Sequence, residues 1–387
     1  MRVYKQIYKM KLLKYSLFFG VALWVFSCKN TSEKSTIKPI KKSSIKYAKG
    51  FQIEEFETYK KLIIKAPYQN SNEIFEYFIY TKGAKKDLAS TKKDLQVPIT
   101  KMVVTSTTHI PMIELLGEEN SLVGFPYAAY ISSEKTSALV KEGVIKEIGK
   151  ENSLNTEILL DLQPQLVVGY SVSVADKTYT TIEKAGIPVI YNGDWLEEDP
   201  LGRAEWIKFF GLLYNKEKEA DSIFTRIEKN YLKAKEIALF SESKPTILSG
   251  AIMSKDIWNL PAGESFVAQF LNDANVQYLW KDSKGKGSLS LSFESVFDKG
   301  KEADFWISPG YFTSKEQMLQ SSELYAEFKA FKTDQIYTPS TKKGSTGGVI
   351  YYELAPTRPD LVLKDLIKIT HPNLLPNYEL TFFEKMK

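Results

Sequence analysis

Chemistry that depends on imidazole or thiol has little to work with in this chain. Among 387 residues there are two histidines, His109 and His371, and one cysteine, Cys28. A hydrolytic site needs a nucleophile, a base and an acid that orients the base, and here it would have to be built on His109 alone. His371 stands directly before Pro372, where a helix is expected to end and a charged imidazole would favour the helix dipole. No G-x-S-x-G, H-E-x-x-H, P-loop or C-x-x-C pattern occurs, and catalysis is not expected. Two distant imidazoles do not assemble a multi-histidine zinc or manganese site, although iron held by tyrosine and carboxylate oxygens stays open. No resident cofactor is expected.

Aromatic side chains are the abundant resource, with 22 Tyr, 22 Phe and 6 Trp. Tyrosine and tryptophan offer a flat apolar surface with a polar handle. In open α/β sheets ligands sit beyond the carboxyl ends of the strands. That rule selects Thr108 and His109 after a strand at Met102–Thr105, then Tyr127 and Tyr130, Tyr170, and Trp195 in the first half of the chain. In the second half it selects Trp258 and Tyr311, with Tyr352 (beside Tyr351) in a late loop. Together they predict a binding site for a wide, flat, partly apolar cargo.

The elements that must carry these residues alternate between strand and helix. Apolar runs at Leu122–Phe125, Leu166–Tyr170 and Val189–Tyr191 are separated by segments of helical periodicity, the pattern of a parallel sheet covered by helices. From Lys216 to Phe240 there is neither Gly nor Pro, and Ala220, Ile223, Phe224, Ile227, Tyr231 and Ala234 recur at helical spacing. Strand–helix alternation resumes after Pro245. The last helix is expected to start on a capping box, Thr357-Arg358-Pro359-Asp360. The predicted class is α/β: two Rossmann-like lobes (101–214 and 244–387) joined by one long helix (215–243), with a small β extension at 45–100. A link with no loop hinge predicts little change of shape on binding.

The lobes also share a segment. Glu157-Ile-Leu-Leu-Asp161 precedes a strand ending in Gly-Tyr170, and Glu294-Ser-Val-Phe-Asp298 precedes one ending in Gly-Tyr311. Each places a glutamate in the first turn of a helix, where it favours the dipole.

The formal charge is +5, and Arg2, Lys5, Lys9, Lys11 and Lys14 account for all of it, leaving the remainder neutral. A neutral body has no electrostatic footprint for nucleic acid. Residues 1–27 read as a signal peptide: a basic stretch, then the apolar run Ser16–Phe26, shorter than the roughly 20 residues that span a bilayer. The run ends at Ser27-Cys28, which resembles a lipobox. Cys28 has no disulfide partner and is expected to carry a lipid anchor, with 28–44 as a polar tether. That places the protein in the periplasm or on the outer face of a membrane, as a monomer.

Residues 101–376 resemble the periplasmic binding proteins of iron-siderophore, haem and cobalamin ABC transporters. The resemblance lies in Val103-Val-Thr-Ser-Thr-Thr-His109, Glu114-Leu-Leu-Gly117, Asn155-Thr-Glu157 with Asp161-Leu-Gln-Pro-Gln-Leu-Val-Val168, Asn192–Gly211, and Arg358-Pro359-Asp360 with His371-Pro372. It implies cargo, an iron complex or a corrinoid, held in a cleft between lobes. It also implies that Glu157 and Glu294 dock onto a permease dimer served by an ATPase. A sensor or storage lipoprotein of the same fold, or an esterase acting on the iron complex, are the other readings.

Overall fold

The computed structural model describes residues 38–83, 93–150, 153–171 and 177–387. The expected signal peptide, Cys28 and most of the tether lie outside these residues.

The N-terminal extension is a five-stranded sheet of Lys41–Lys42, Phe51–Glu55, Lys60–Lys65, Ile74–Thr81 and Asp94–Val97, paired in that order. All pairings are antiparallel except the last. Alternation turns Phe51, Ile53, Leu62, Ile64, Tyr77 and Ile79 inward, where they join the hydrophobic core of the first lobe. The extension is therefore continuous with that lobe.

The first lobe is built on a parallel sheet in the order Val189–Tyr191, Leu166–Gly169, Met102–Val104, Leu122–Phe125, Lys146–Glu147. The second has the order Gln277–Tyr278, Thr246–Ser249, Phe305–Ile307, Ile336–Thr338, Glu384–Lys385, parallel except for the final strand. In each sheet the strand order reverses beside the lobe's first strand, between Met102–Val104 and Leu166–Gly169 or between Thr246–Ser249 and Phe305–Ile307. These are the switch points at which α/β sheets open a crevice.

The linking helix is Glu217–Ala238, about 33 Å long. Its buried stripe divides between the lobes: Ala220, Phe224 and Ile227 enter the first core, and Tyr231, Ala234 and Ala238 enter the second.

Three expectations differ from the structure. An antiparallel sheet of Ala251–Ser254, Ile257–Pro261 and Ser288–Ser292 follows the first strand of the second lobe, where strand–helix alternation is expected. The last helix, Pro359–Thr370, starts on Arg358 without a side-chain cap; Arg358 instead pairs with Asp360 at 2.8 Å, and the buried Thr357 hydroxyl finds no partner among the described residues. His371 ends that helix but is no cationic dipole partner. It is buried, with Nδ1 2.9 Å from the Ser241 hydroxyl and Nε2 3.1 Å from the Ala274 carbonyl, and desolvation pushes its pKa down.

Candidate functional site

A cavity of about 840 Å³ opens between the lobes at their switch points, near the upper end of the roughly 300–1,000 Å³ usual for small-molecule sites. The first lobe lines it with Thr105, Ser106 and Thr107 from one side of the strand reversal and Tyr170 and Ser171 from the other. Gly169 is required there, because a Cβ on it would lie 2.5 Å from the Tyr179 ring. The Tyr179 hydroxyl is 3.0 Å from that of Thr105 and ties the two loops together. Tyr127, in the left-handed backbone region at φ 55°, and Tyr130 form an edge-on pair with centroids 4.3 Å apart.

The second lobe contributes Tyr311, Lys343, Gly347, Gly348, Val349 and Tyr352. The Tyr311 and Tyr352 rings stand 6.1 Å apart, with Tyr311 largely exposed and Tyr352 partly buried. Burial, followed by the proximity of Tyr311, pushes the Tyr352 phenol up to about 12, so it stays a neutral hydroxyl. Six tyrosines thus face one cavity, and Lys343 is the only charged residue among its described lining. Such a wall offers stacking area and hydroxyl hydrogen bonds.

Tyr127, Tyr130, Tyr170, Tyr311 and Tyr352 are therefore brought together, and four other expected site residues are not. Thr108 is not on the wall and donates to Asp194 Oδ2 at 2.7 Å; its neighbour Thr107 takes the wall position. His109 is the first residue of helix His109–Leu115 and is wholly buried against Phe210. Desolvation lowers its pKa. Trp195 is not on the wall, and its carbonyl accepts from Arg203 at 2.6 Å. Trp258 is core: its ring stacks on Trp306 at 5.2 Å and its Nε1 donates to the Ser249 carbonyl at 2.9 Å. The sequence reading missed Lys343 and the Gly347–Val349 stretch. Its signal was the glycine-rich run Gly344-Ser-Thr-Gly-Gly348, since only glycine tolerates so close an approach: Cβ atoms at 344 and 348 would meet the Ser132 and Tyr130 carbonyls at 2.1 and 2.3 Å.

Glu157 and Glu294 are both exposed in the first turns of short helices, Thr156–Leu162 and Phe293–Gly300, capped by Asn155 and Ser292. Among the described residues neither acid has an ion-pair partner, and no group of three or more His, Cys, Asp or Glu could hold a metal ion. No helix of the described residues is long and apolar enough to cross a membrane.

Comparison with known proteins agrees with this architecture. An uncharacterized lipoprotein of Methanocaldococcus jannaschii is 26% identical, with 92% of this chain and 89% of that protein covered. A periplasmic binding protein from Veillonella parvula has the same fold at TM-score 0.56 and 15% identity, covering 84% of this chain and 96% of its own. A periplasmic heme-binding protein from Pseudomonas aeruginosa superposes at TM-score 0.55 and 15% identity, covering 75% and 98%. The sequence profile of the family described as periplasmic binding protein matches residues 102–341. With two switch-point lobes on one linking helix and a profile match over most of its length, the chain belongs to the periplasmic binding protein family.

Proposed function

We propose that this protein is the binding component of an ABC importer, which captures a bulky iron complex (siderophore or haem) or a corrinoid and delivers it to a permease without chemically altering it. The observation that carries this reading is the six-tyrosine cavity at the paired switch points. Tyrosine rings suit a flat, wide cargo, and a lining without described imidazole, thiol or carboxylate suits a bare metal ion poorly. The likeness in fold to a heme-binding protein of Pseudomonas aeruginosa supports it. The test titrates ferric siderophores, haem and cobalamin beside bare zinc and manganese, following cargo absorbance and tyrosine emission. Trp258 lies in the core and is a poor reporter. Tight binding of a bare ion with none of the bulky ligands overturns the assignment.

Delivery rests on Glu157 and Glu294, one exposed acid per lobe, as a two-fold permease would require. An exposed ion pair is worth only about 0–1 kcal/mol, whereas like charges facing each other cost several. Glu157→Arg combined with Glu294→Arg is expected to abolish uptake with cargo affinity unchanged. Intact uptake would leave a sensor or store of the same fold as the better reading. The anchor is proposed at Cys28; a processed Cys28→Ser protein that stayed with the membrane would refute it.

A further inference from the structure

The lobes are tied across the mouth of the cavity by a carboxylate. Glu353, buried in helix Ile350–Leu354 of the second lobe, accepts from the backbone N–H of Ser132 at 2.7 Å and of Ser133 at 2.9 Å in the first. Those donors open the helix Glu134–Lys141, whose N-terminus favours negative charge. Two more bonds cross beside it: the Thr346 hydroxyl donates to the Ile131 carbonyl, and Ser345 N–H to Glu134 Oε1 at 3.1 Å. Gly344 and Gly348 pack directly on the Ser132 and Tyr130 carbonyls. Every segment in this tie adjoins the wall, since Tyr127 and Tyr130 precede Ser132, while Gly347–Val349 and Tyr352 precede Glu353.

We propose that Glu353 is a positioning residue for cargo binding: by holding the Ser132 and Ser133 amides it sets the second lobe's wall against Tyr127 and Tyr130, and with that the rate at which cargo leaves. This rests on the reading of the cavity as the cargo site. The carboxylate faces Glu114, from the packed helix His109–Leu115; Glu134 is engaged by Ser345, Lys343 and Tyr352 lie on the carboxylate's own side, and His109 is turned into the core. Glu114 is itself engaged by the Ser133 hydroxyl and by that of Thr136 at 2.5 Å. Burial, opposed by the two amide bonds and reinforced by Glu114, pushes the Glu353 carboxyl up to about 7. A carboxyl raised in the latched form takes up its proton as the lobes latch. Latching is therefore favoured as pH falls through about 7 and weakened as pH rises above it.

The test uses the mature chain in a Cys28→Ser background, with spin labels at the exposed helix positions Lys141 and Gln320 of opposite lobes. Cargo-free wild type is expected to give one narrow interlobe distance. Glu353→Ala should add a longer, broader population, and so should Gly344→Ala, which displaces the loop without touching the carboxylate. Cargo dissociation should accelerate at least tenfold in both variants. Wild-type dissociation should slow between pH 8 and 6, and Glu353→Gln should flatten that profile, which a purely structural role would not do. Unchanged distances in both variants, or a wild-type profile as flat as that of Glu353→Gln, overturn the proposal. The label distances need no cargo, so they decide the tie even if no bulky ligand binds and the cargo reading fails.

Discussion

Two places in this molecule hold separate pieces of chain together with buried glutamates that accept backbone N–H groups, and they are built differently. On the hinge side, an N-terminal strap of residues 46–50 lies across the first lobe and the linking helix. Glu205, wholly buried, accepts from the N–H groups of Lys46, Tyr47 and Ala48 at 2.7–3.0 Å and is paired with Lys208 at 3.0 Å. Glu197 accepts from Lys49 and Gly50 N–H and from the Trp206 indole. Tyr47 packs against both hydrophobic cores, and its hydroxyl donates to Glu228 of the linking helix at 2.6 Å. At the mouth, Glu353 has two amides, no cation partner among the described residues and another carboxylate nearby. A buried carboxylate matched by a cation and three donors behaves as a rivet. One matched by two donors and opposed by a like charge exchanges its proton near neutrality. Glu205 is held by a paired charge and Glu353 is not.

Breaking the strap should therefore cost global stability while leaving the cleft's response to pH intact, the reverse of the pattern expected at Glu353. Glu205→Gln carries the largest effect, about 3 kcal/mol, because it leaves Lys208 and the strap amides without their buried charge. It would be measured as a lower urea midpoint at unchanged slope. Gly50→Ala comes next: a Cβ at that position would lie 2.8 Å from Cζ2 of the buried Trp206, and overpacking of that kind costs about 2 kcal/mol. Tyr47→Phe removes one hydrogen bond to the linking helix and should cost about 1 kcal/mol. If any of the three altered the pH dependence of cargo release without lowering stability, the division between rivet and latch would be wrong.

The sequence displayed what repeats along the chain and concealed what depends on long-range pairing. The linking helix announced itself through Ala220, Phe224, Ile227, Tyr231 and Ala234, because burial on two cores demands a continuous stripe. Five wall tyrosines followed from the rule that ligands gather beyond strand ends. The same rule misplaced His109 and Trp258. It selects a loop but says nothing of which way a side chain turns, and those two turn into cores against Phe210 and Trp306. The latch and strap left almost no trace. Their donors are backbone amides, which every residue type but proline carries, and their acceptors lie 147 to 221 positions away.

The strap also decides how the protein would hang. The chain joins the folded body where Lys41–Lys42 pairs with Glu54–Glu55 at the edge of the N-terminal sheet, and is riveted again at residues 46–50. With the proposed lipid on Cys28, a pull toward the membrane would enter the body along the chain at Lys41. Tension along it would load the outer sheet edge and the rivets, and none of it would pass through Ser132, Glu353 or the glycine-rich loop. The pull would be borne at the strap and would not pry the cargo loose.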